Sequence, residues 1–480
     1  MVKLLLFPLF FLLIPSGFLS LRQLSEKAIL RYFSEGKFSK AERLINEKLK
    51  SNPDKETLKK LEIIKAKMYR IKNDFSKTES DIKKELLPYF PGLSKKQLRR
   101  WEKSGKLEMR IINGERRYFK NAVPNLFRVD EQAAAVKEKR DGVTTDPLKS
   151  FCLEHTSDLV NAFAEGKKPE DLVSAFEIDF TITLKPDVIP AGETVKCWMP
   201  FPRESEPRQK NVELLHVNSA DYQLATNDFL QRTHYMEKET VAGKPTVFNY
   251  SARFETRPQW IQLENYDLKP YNKNSELYRK FTSEQPPHII FSDKIKQLTA
   301  KITAGKTNPF EKVKAIYYWI DQNIPWASAL EYSTFVCIPK YVLKNRKGDC
   351  GMQSLLFMSL ARANGIPCKW QSGWMLHPGE VNLHDWCEVY YEGIGWVPLD
   401  QSFGLQNSEA QKVKEFYISG IDGYRLIIND DFSRKFNPPK EFFRSEPIDF
   451  QRGELEWSGE NIYFDKWNYQ MDVNYLKSEK

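Results

Sequence analysis

The 480-residue sequence predicts a multidomain α+β protein. Three observations carry that expectation. Residues 21–88 carry apolar side chains at helical spacing. From about Phe176 the apolar residues alternate with polar ones, as in half-buried strands. Between Cys350 and Asp400 an apolar helix pattern gives way to three strand-like segments. A chain of this length has room for two to four domains.

The elements follow in order. Lys3 precedes an apolar run from Leu4 to Ile14, and Pro15-Ser16-Gly17 then leads into charged sequence. The run is short for a bilayer span and has the layout of an export signal, so 1–20 is expected to be a signal peptide, cleaved near Gly17–Ser20 or kept as an anchor. Residues 21–88 read as helices. Tyr32 to Phe38, Ala41 and Asn52-Pro53 resemble one tetratricopeptide-type hairpin, with a further helix over 56–70. Residues 89–135 contain Leu93-Ser94, Leu98, Trp101 and Asn113-Gly114, the pattern of a small helix–turn–helix followed by a hairpin wing. It resembles a nucleic-acid reader, but behind an export signal a docking module is the expected role, and no nucleic-acid partner is expected. Over 150–270 the strands Phe176–Leu184, Val195–Pro202, Val212–His216, His234–Glu239 and Thr246–Glu255 predict a β-sandwich. Residues 269–287 read as a linker into an α+β core over 285–430, in which Lys312–Ile320 is a helix. The aromatic C-terminal piece, 431–480, is expected to add strands that pack back on the rest.

The core carries the chemistry. Asp349 caps a predicted helix that opens at Cys350 and buries Met352, Leu355, Leu356, Leu360 and Ala363; Asn364-Gly365 and Pro367 stop it. A thiol at a helix N-terminus feels the positive end of the macrodipole, so its pKa is expected to fall. Trp370, Ser372, Trp374 and Leu376 share one face of the first strand. Further strands cover 383–390 and 396–400. A hairpin symmetric about Glu392 places His384 opposite Asp400, Trp386 opposite Pro398 and Glu388 opposite Trp396. Opposed side chains have Cβ atoms roughly 5 Å apart, close enough for a carboxylate to orient an imidazole. A slip of one residue would put the two groups on opposite faces.

Gly348-Asp349-Cys350, Ala363-Asn364-Gly365-Ile366-Pro367, His384-Asp385-Trp386 and Gly395-Trp396-Val397-Pro398-Leu399-Asp400 together resemble the core of the transglutaminase-like superfamily, a branch of the papain-like cysteine enzymes. The resemblance covers about residues 290–430. It implies a papain/transglutaminase-like fold, Cys350 as nucleophile, His384 as base and later acid, and Asp400 as orienter. It also implies peptidase or amidase chemistry for bacterial members, with a β-domain ahead of the core. The Cys350 N–H is one oxyanion candidate. Trp326, the nearest upstream tryptophan, is the other, at a shorter spacing to the cysteine than in animal transglutaminases.

Taken singly, each of these residues has an ordinary structural role open to it: a buried cysteine, a structural histidine, a turn aspartate. In this order on a helix and two strands they point to acyl transfer. His155, His216, His234, His288 and His377 have no comparable context and read as core or surface residues.

Composition bounds the partners. Residues 21–130 hold about 29 Lys and Arg against about 15 Asp and Glu, while 131–480 comes out near −6. The basic N-terminal region would suit an anionic envelope surface, or simply be a solvated face. No Cys-X-X-Cys or zinc spacing occurs, and no cofactor is expected. If Cys350 stays free, at least one of the other five cysteines is unpaired; Cys368 and Cys387, on consecutive strands, form the first pair to test for a disulfide. The reading is therefore an exported cysteine hydrolase acting on a peptide or protein. A cross-linking transglutaminase and a non-catalytic envelope scaffold are the alternatives.

Overall fold

The computed structural model describes residues 26–143, 145–205 and 207–476, so the apolar run assigned to a signal peptide lies outside the described residues. The chain divides into two compact units, Met1–Val123 and Pro124–Lys480.

In the first unit α1 (26–34), α2 (Phe38–Leu49) and α3 (Lys55–Asp74) are followed by α4 (Glu79–Leu86), α5 (Lys95–Lys103) and the hairpin β1 (Met109–Ile112) and β2 (Glu115–Tyr118). Local sequence sets the boundaries. Asp54 caps α3, Thr78 and Asp81 form a reciprocal capping box on α4, and Ser94 caps α5. Ile112 pairs with Glu115, leaving Asn113-Gly114 as a two-residue turn with φ of 51° and 89°. Gly36 (φ +71°) turns α1 into α2 where a Cβ would meet the Ile111 carbonyl oxygen at 2.1 Å, so only glycine fits.

The second unit opens with α6 (Ala122–Val129), which begins two residues before the boundary, then α7 (Glu131–Asp141) and α8 (Pro147–Ala164). Strands β3 (Ser174–Leu184), β4 (Thr194–Pro200), β5 (Gln209–Val217), β6 (Tyr222–Leu224), β7 (Thr233–Glu239), β8 (Thr246–Thr256) and β9 (Gln259–Trp260) follow. The segment read as a linker contains a short helix, α9 (Glu276–Phe281), capped by Ser275. Next come α10 (Asp293–Ile302), α11 (Pro309–Asn323), α12 (Ile338–Asn345) and α13 (Cys350–Ala363). The chain ends with β10 (Cys368–His377), β11 (Glu380–Tyr391), β12 (Gly395–Leu399), α14 (Gln411–Lys414), β13 (Gly420–Ile421), β14 (Arg425–Asn429), β15 (Glu454–Glu456), β16 (Asn461–Ile462) and β17 (Trp467–Leu476).

Two sheets, β17-β3-β8-β5 and β16-β15-β4-β7-β6, share one apolar core built from the inward residues of β3, β4 and β8. The alternation in β3 explains its placement: Phe176, Ile178, Phe180, Ile182 and Leu184 are all buried while the residues between them are half-exposed. The last strand, β17, runs antiparallel to β3 along ten residue pairs, so the C-terminal residues complete the sandwich.

The second layer is the sheet β12-β11-β10-β14 with α13 packed on it. From Gly351 to Arg362 every residue of α13 is buried, between α10, α11 and α12 and the strands β10 and β11. A helix buried on all sides is a core helix, and its polar residues Gln353, Ser354, Ser359 and Arg362 each make a hydrogen bond there. Burying each of Leu355, Leu356 and Leu360 stabilises the unit by about 1.5–3 kcal/mol. Further along β10, and on β14, Trp374, Leu376, Leu426 and Ile428 enter the sandwich core, so the sheet contributes to both apolar cores.

The β11–β12 register differs from the expected one by two residues. Tyr391 pairs with Gly395 and Glu388 with Pro398, so the hairpin is symmetric about Gly393 rather than Glu392. Gly393 (φ 83°) and Gly395 (φ 105°) both take conformations that favour glycine, and this sets a three-residue loop. The shift is even, so each side chain keeps its face.

Candidate active site

Asp349 closes the N-terminus of α13 as expected, its carboxylate accepting a hydrogen bond from the Met352 N–H at 3.1 Å. This fixes Cys350 in the first turn. The preceding segment is held by a parallel bridge between Trp326 and Gly348, with the Ala327 N–H donating to the Gly348 carbonyl at 3.0 Å.

On the sheet, His384 Nε2 lies 2.7 Å from Asp400 Oδ2. Continuing the observed register would set Asp400 across from Trp386, one same-face position from His384, and the two side chains meet diagonally. The Ser402 and Phe403 N–H groups donate to Asp400 Oδ1 at 3.0 and 3.2 Å, and the Arg425 guanidinium donates to Oδ2 at 2.6 Å. His384 and Arg425, each beside the carboxylate and hydrogen-bonded to it, hold Asp400 below the usual carboxylate range although burial opposes them. The Phe403 ring packs edge-on against His384 at 4.9 Å, and the Gln451 side chain donates to the His384 carbonyl at 2.8 Å.

The thiol itself meets a different neighbour. The Cys350 thiol donates to Asp385 Oδ2 at 3.3 Å. No hydrogen bond joins Cys350 to His384 among the described residues. The structure thus brings His384 and Asp400 together and sets Cys350 against the next residue along the strand. The expected fall in the thiol pKa is corrected as well. Burial pushes Cys350 well above the ordinary cysteine value, and the charges of Asp385 and Asp349 push the same way. The positive end of a helix amounts to roughly half a charge, too little against desolvation and two carboxyl groups.

Asp385 belongs to a buried carboxyl group cluster that sequence reading did not single out. Burial, with the neighbouring Asp449 charge and hydrogen bond, raises Asp385 well above the usual range. Asp449, itself raised by burial, accepts from Ser372 Oγ (2.6 Å), the Phe450 N–H (2.7 Å) and Asn429 Nδ2 (3.1 Å), and the two carboxyl groups titrate as a pair. Gln451 Nε2 donates to Asp385 Oδ1 at 2.9 Å. Burial also lifts Asp349 to about 6 and Glu446 to about 8. Gly351 makes room for this crowding: a Cβ there would meet the Tyr332 hydroxyl at 2.3 Å and Asp385 Oδ2 at 2.6 Å. Gln401, next to Asp400, ties the sheet to α13 through Ser354 Oγ at 2.6 Å.

These groups open on a cleft lined by Trp326, Tyr332, Asp349, Cys350, Asp385, Asp449 and Arg452. Trp326 is therefore at the site, partly exposed, with the Arg128 guanidinium 4.7 Å from its ring centre. Of the other histidines, His377 and His234 are buried in the core and His216 is on the surface. All six cysteines are free thiols. Cys368 and Cys387 sit diagonally on β10 and β11 and are not bridged; the Cys387 thiol donates to the Ser354 carbonyl at 3.8 Å.

Residues 296–401 match the model of the transglutaminase-like superfamily. Among curated proteins, the chain is 28% identical over 175 residues to the uncharacterized protein YebA of Bacillus subtilis, covering 31% of this chain and 23% of that one. It is 24% identical over 259 residues to an uncharacterized protein of Haemophilus influenzae, covering 45% and 66%. In both cases the chain spans less than two thirds of the relative's length. Among solved structures, a candidate cysteine protease from Cytophaga hutchinsonii aligns at TM-score 0.43 and 17% identity, covering 64% of this chain and 92% of that one. The periplasmic domain of TgpA from Pseudomonas aeruginosa aligns at TM-score 0.26 and 13% identity, covering 51% and 93%. The segment that carries Cys350, His384 and Asp400 thus belongs to the transglutaminase-like superfamily.

Proposed function

We propose that the protein is an exported cysteine hydrolase that cleaves a peptide or amide bond through a thioester at Cys350. The observation that carries this reading is the buried His384–Asp400 pair at 2.7 Å, with His384 on a strand whose residues on either side of it, Leu383 and Asp385, line the cleft that holds Cys350. His384 takes the thiol proton as sulfur attacks the carbonyl carbon. The Asp400 carboxylate holds the ring through Nε2 and stabilises its charged form, leaving Nδ1 for the proton. The oxyanion is held by N–H donors, for which the Cys350 N–H, free of an intrahelical partner in the first turn, and the Trp326 indole are the candidates. The tetrahedral intermediate collapses, the C–N bond breaks, and His384 returns the proton to the departing amine. Water then attacks the thioester, and the acid and thiol are regenerated.

Reaching that sequence requires the thiol to leave the Asp385 carboxyl for His384, so the hydrogen bond at 3.3 Å describes the resting arrangement. Export is supported by the apolar run after Lys3, and no helix of the described residues is long and apolar enough to cross a membrane. The test is to incubate the full chain and its Cys350→Ala variant with a peptide library, with and without a primary amine, and read products by mass. Hydrolysis by the wild type alone is the expected result. Preferential incorporation of the amine would make the protein a transamidase, and equal product profiles for the two proteins would make it a scaffold.

A further inference from the structure

Outside the matched segment, β14 brings one more charged side chain to the site. Arg425 is 2% exposed and spans two buried carboxylates, with Nη1 2.6 Å from Asp400 Oδ2 and Nη2 2.9 Å from Asp422 Oδ2. Its Nε donates to Asp422 Oδ2 as well, at 3.2 Å. Asp422 is closed off in turn by the Tyr417 hydroxyl, which donates to Oδ2 at 3.0 Å, and by His377 Nε2 3.2 Å from Oδ1. The guanidinium plane is fixed by the Phe403 ring, 4.2 Å from its carbon to the ring centre, and Phe403 is also the ring against His384. A buried cation this well held must be matched by charge, since an unpaired one would be costly to fold.

We propose that Arg425 is a positioning residue for the reaction, a rigid bridge that locks the Asp400 carboxylate, and through it the His384 ring, to a second buried anion at Asp422. The inference rests on the functional reading above. The geometry favours it over simple charge balance. One carboxylate oxygen serves both His384 and Arg425, while the other takes two main-chain N–H groups, so Asp400 is held from three directions. A planar donor fork can span two carboxylates in this way, and a lysine ammonium cannot reproduce both contacts.

The test uses the full chain and two readouts: the rate at which iodoacetamide alkylates Cys350, followed on the peptide by mass, and kcat and KM on the fastest-cleaved library peptide. Arg425→Gln alone leaves an uncompensated charge and can unfold the protein. Arg425→Gln with Asp422→Asn removes one charge of each sign and keeps the shapes, and thermal melting checks its fold. The expected result for the folded double variant is a kcat lower by about 100-fold, the cost of a small misplacement of a reacting group, with KM unchanged. Alkylation of Cys350 is slowed in parallel, and Arg425→Lys lies between. Wild-type kcat and alkylation in the folded double variant, or a change confined to KM, overturns the inference. If the wild type cleaves nothing while alkylation still depends on Arg425, the hydrolase reading falls and the positioning role stands.

Discussion

Cys350 Sγ lies 3.3 Å from Asp385 Oδ2, and that carboxyl is itself joined to Asp449 inside the protein. The thiol therefore rests among acids, one of which, Asp385, follows on β11 the imidazole proposed to activate it. Burial and like charge oppose its ionisation there.

Replacing Asp385 by Asn keeps the shape and removes a group whose ionisation competes with that of the thiol. The direction follows from the causes acting on Cys350: without the Asp385 charge its pKa falls, while burial and Asp349 continue to hold it above the ordinary value. The pH at which iodoacetamide alkylation of Cys350 reaches half its maximum is expected to move downward in Asp385→Asn. An unmoved or upward midpoint would count against the resting arrangement described.

Glu446, raised to about 8, gives the cleft a pH-dependent stability. The folded state holds this proton where the unfolded chain has already released it. Stability is therefore full below the ordinary value of 4.5 and declines as pH rises, by about 1.4 kcal/mol per unit, until it levels off near 8. Glu446→Gln cannot ionise. Its melting temperature relative to wild type is expected to rise between pH 5 and pH 8.5, as followed by circular dichroism.

Arg208 reaches from the sandwich to the core sheet, 3.0 Å from Glu388, which also holds Lys369 at 2.8 Å. Lys369 and Arg208 bring Glu388 down to about 2 against the opposing effect of burial. Breaking a buried pair from one side costs about 3–5 kcal/mol, and Arg208→Met is expected near the lower figure because Lys369 remains. Urea unfolding measures it. The sign with pH is opposite to that of Glu446. The contribution is present above 4.5 and is lost as pH falls toward 2, and Glu388→Gln abolishes that acid dependence.

Gly373 on β10 faces β14 so closely that a Cβ would meet the Leu426 carbonyl oxygen at 1.8 Å. That atom is backbone, so the strand must move. Gly373→Ala is expected to lower stability by at least about 1–3 kcal/mol, the usual cost of overpacking. It should also slow alkylation of Cys350, because Leu426 follows Arg425 on the displaced strand. Loss of stability with an unchanged alkylation rate would separate β14 from the site.

Much of the site is legible in local sequence. Asp349 as cap, Cys350 in the first turn and Asn364-Gly365 as the stop are short-range features, and α13 begins and ends where they place it. The strands between 368 and 400 follow from alternation and from the turn near Glu392, and His384 and Asp400 share a face because an error of two residues preserves parity. The shift came from Gly393 and Gly395, whose positive φ sets the loop. Asp385, by contrast, reads only as the residue beside a histidine. Asp449, Gln451, Asp422 and Arg425 lie beyond the segment that carries the motifs.

The sequence alone thus determined the helix that presents the thiol, the alternation of the strands, and that His384 and Asp400 share a face, because each follows from a local pattern. The tertiary structure decided which groups press on the thiol, which cation locks Asp400, and that β17 returns near the end of the chain to pair Trp467 with Leu184 at the edge of the sandwich. Those contacts depend on how separate segments pack, and burial together with the charged partners it encloses then sets the charge state of each group.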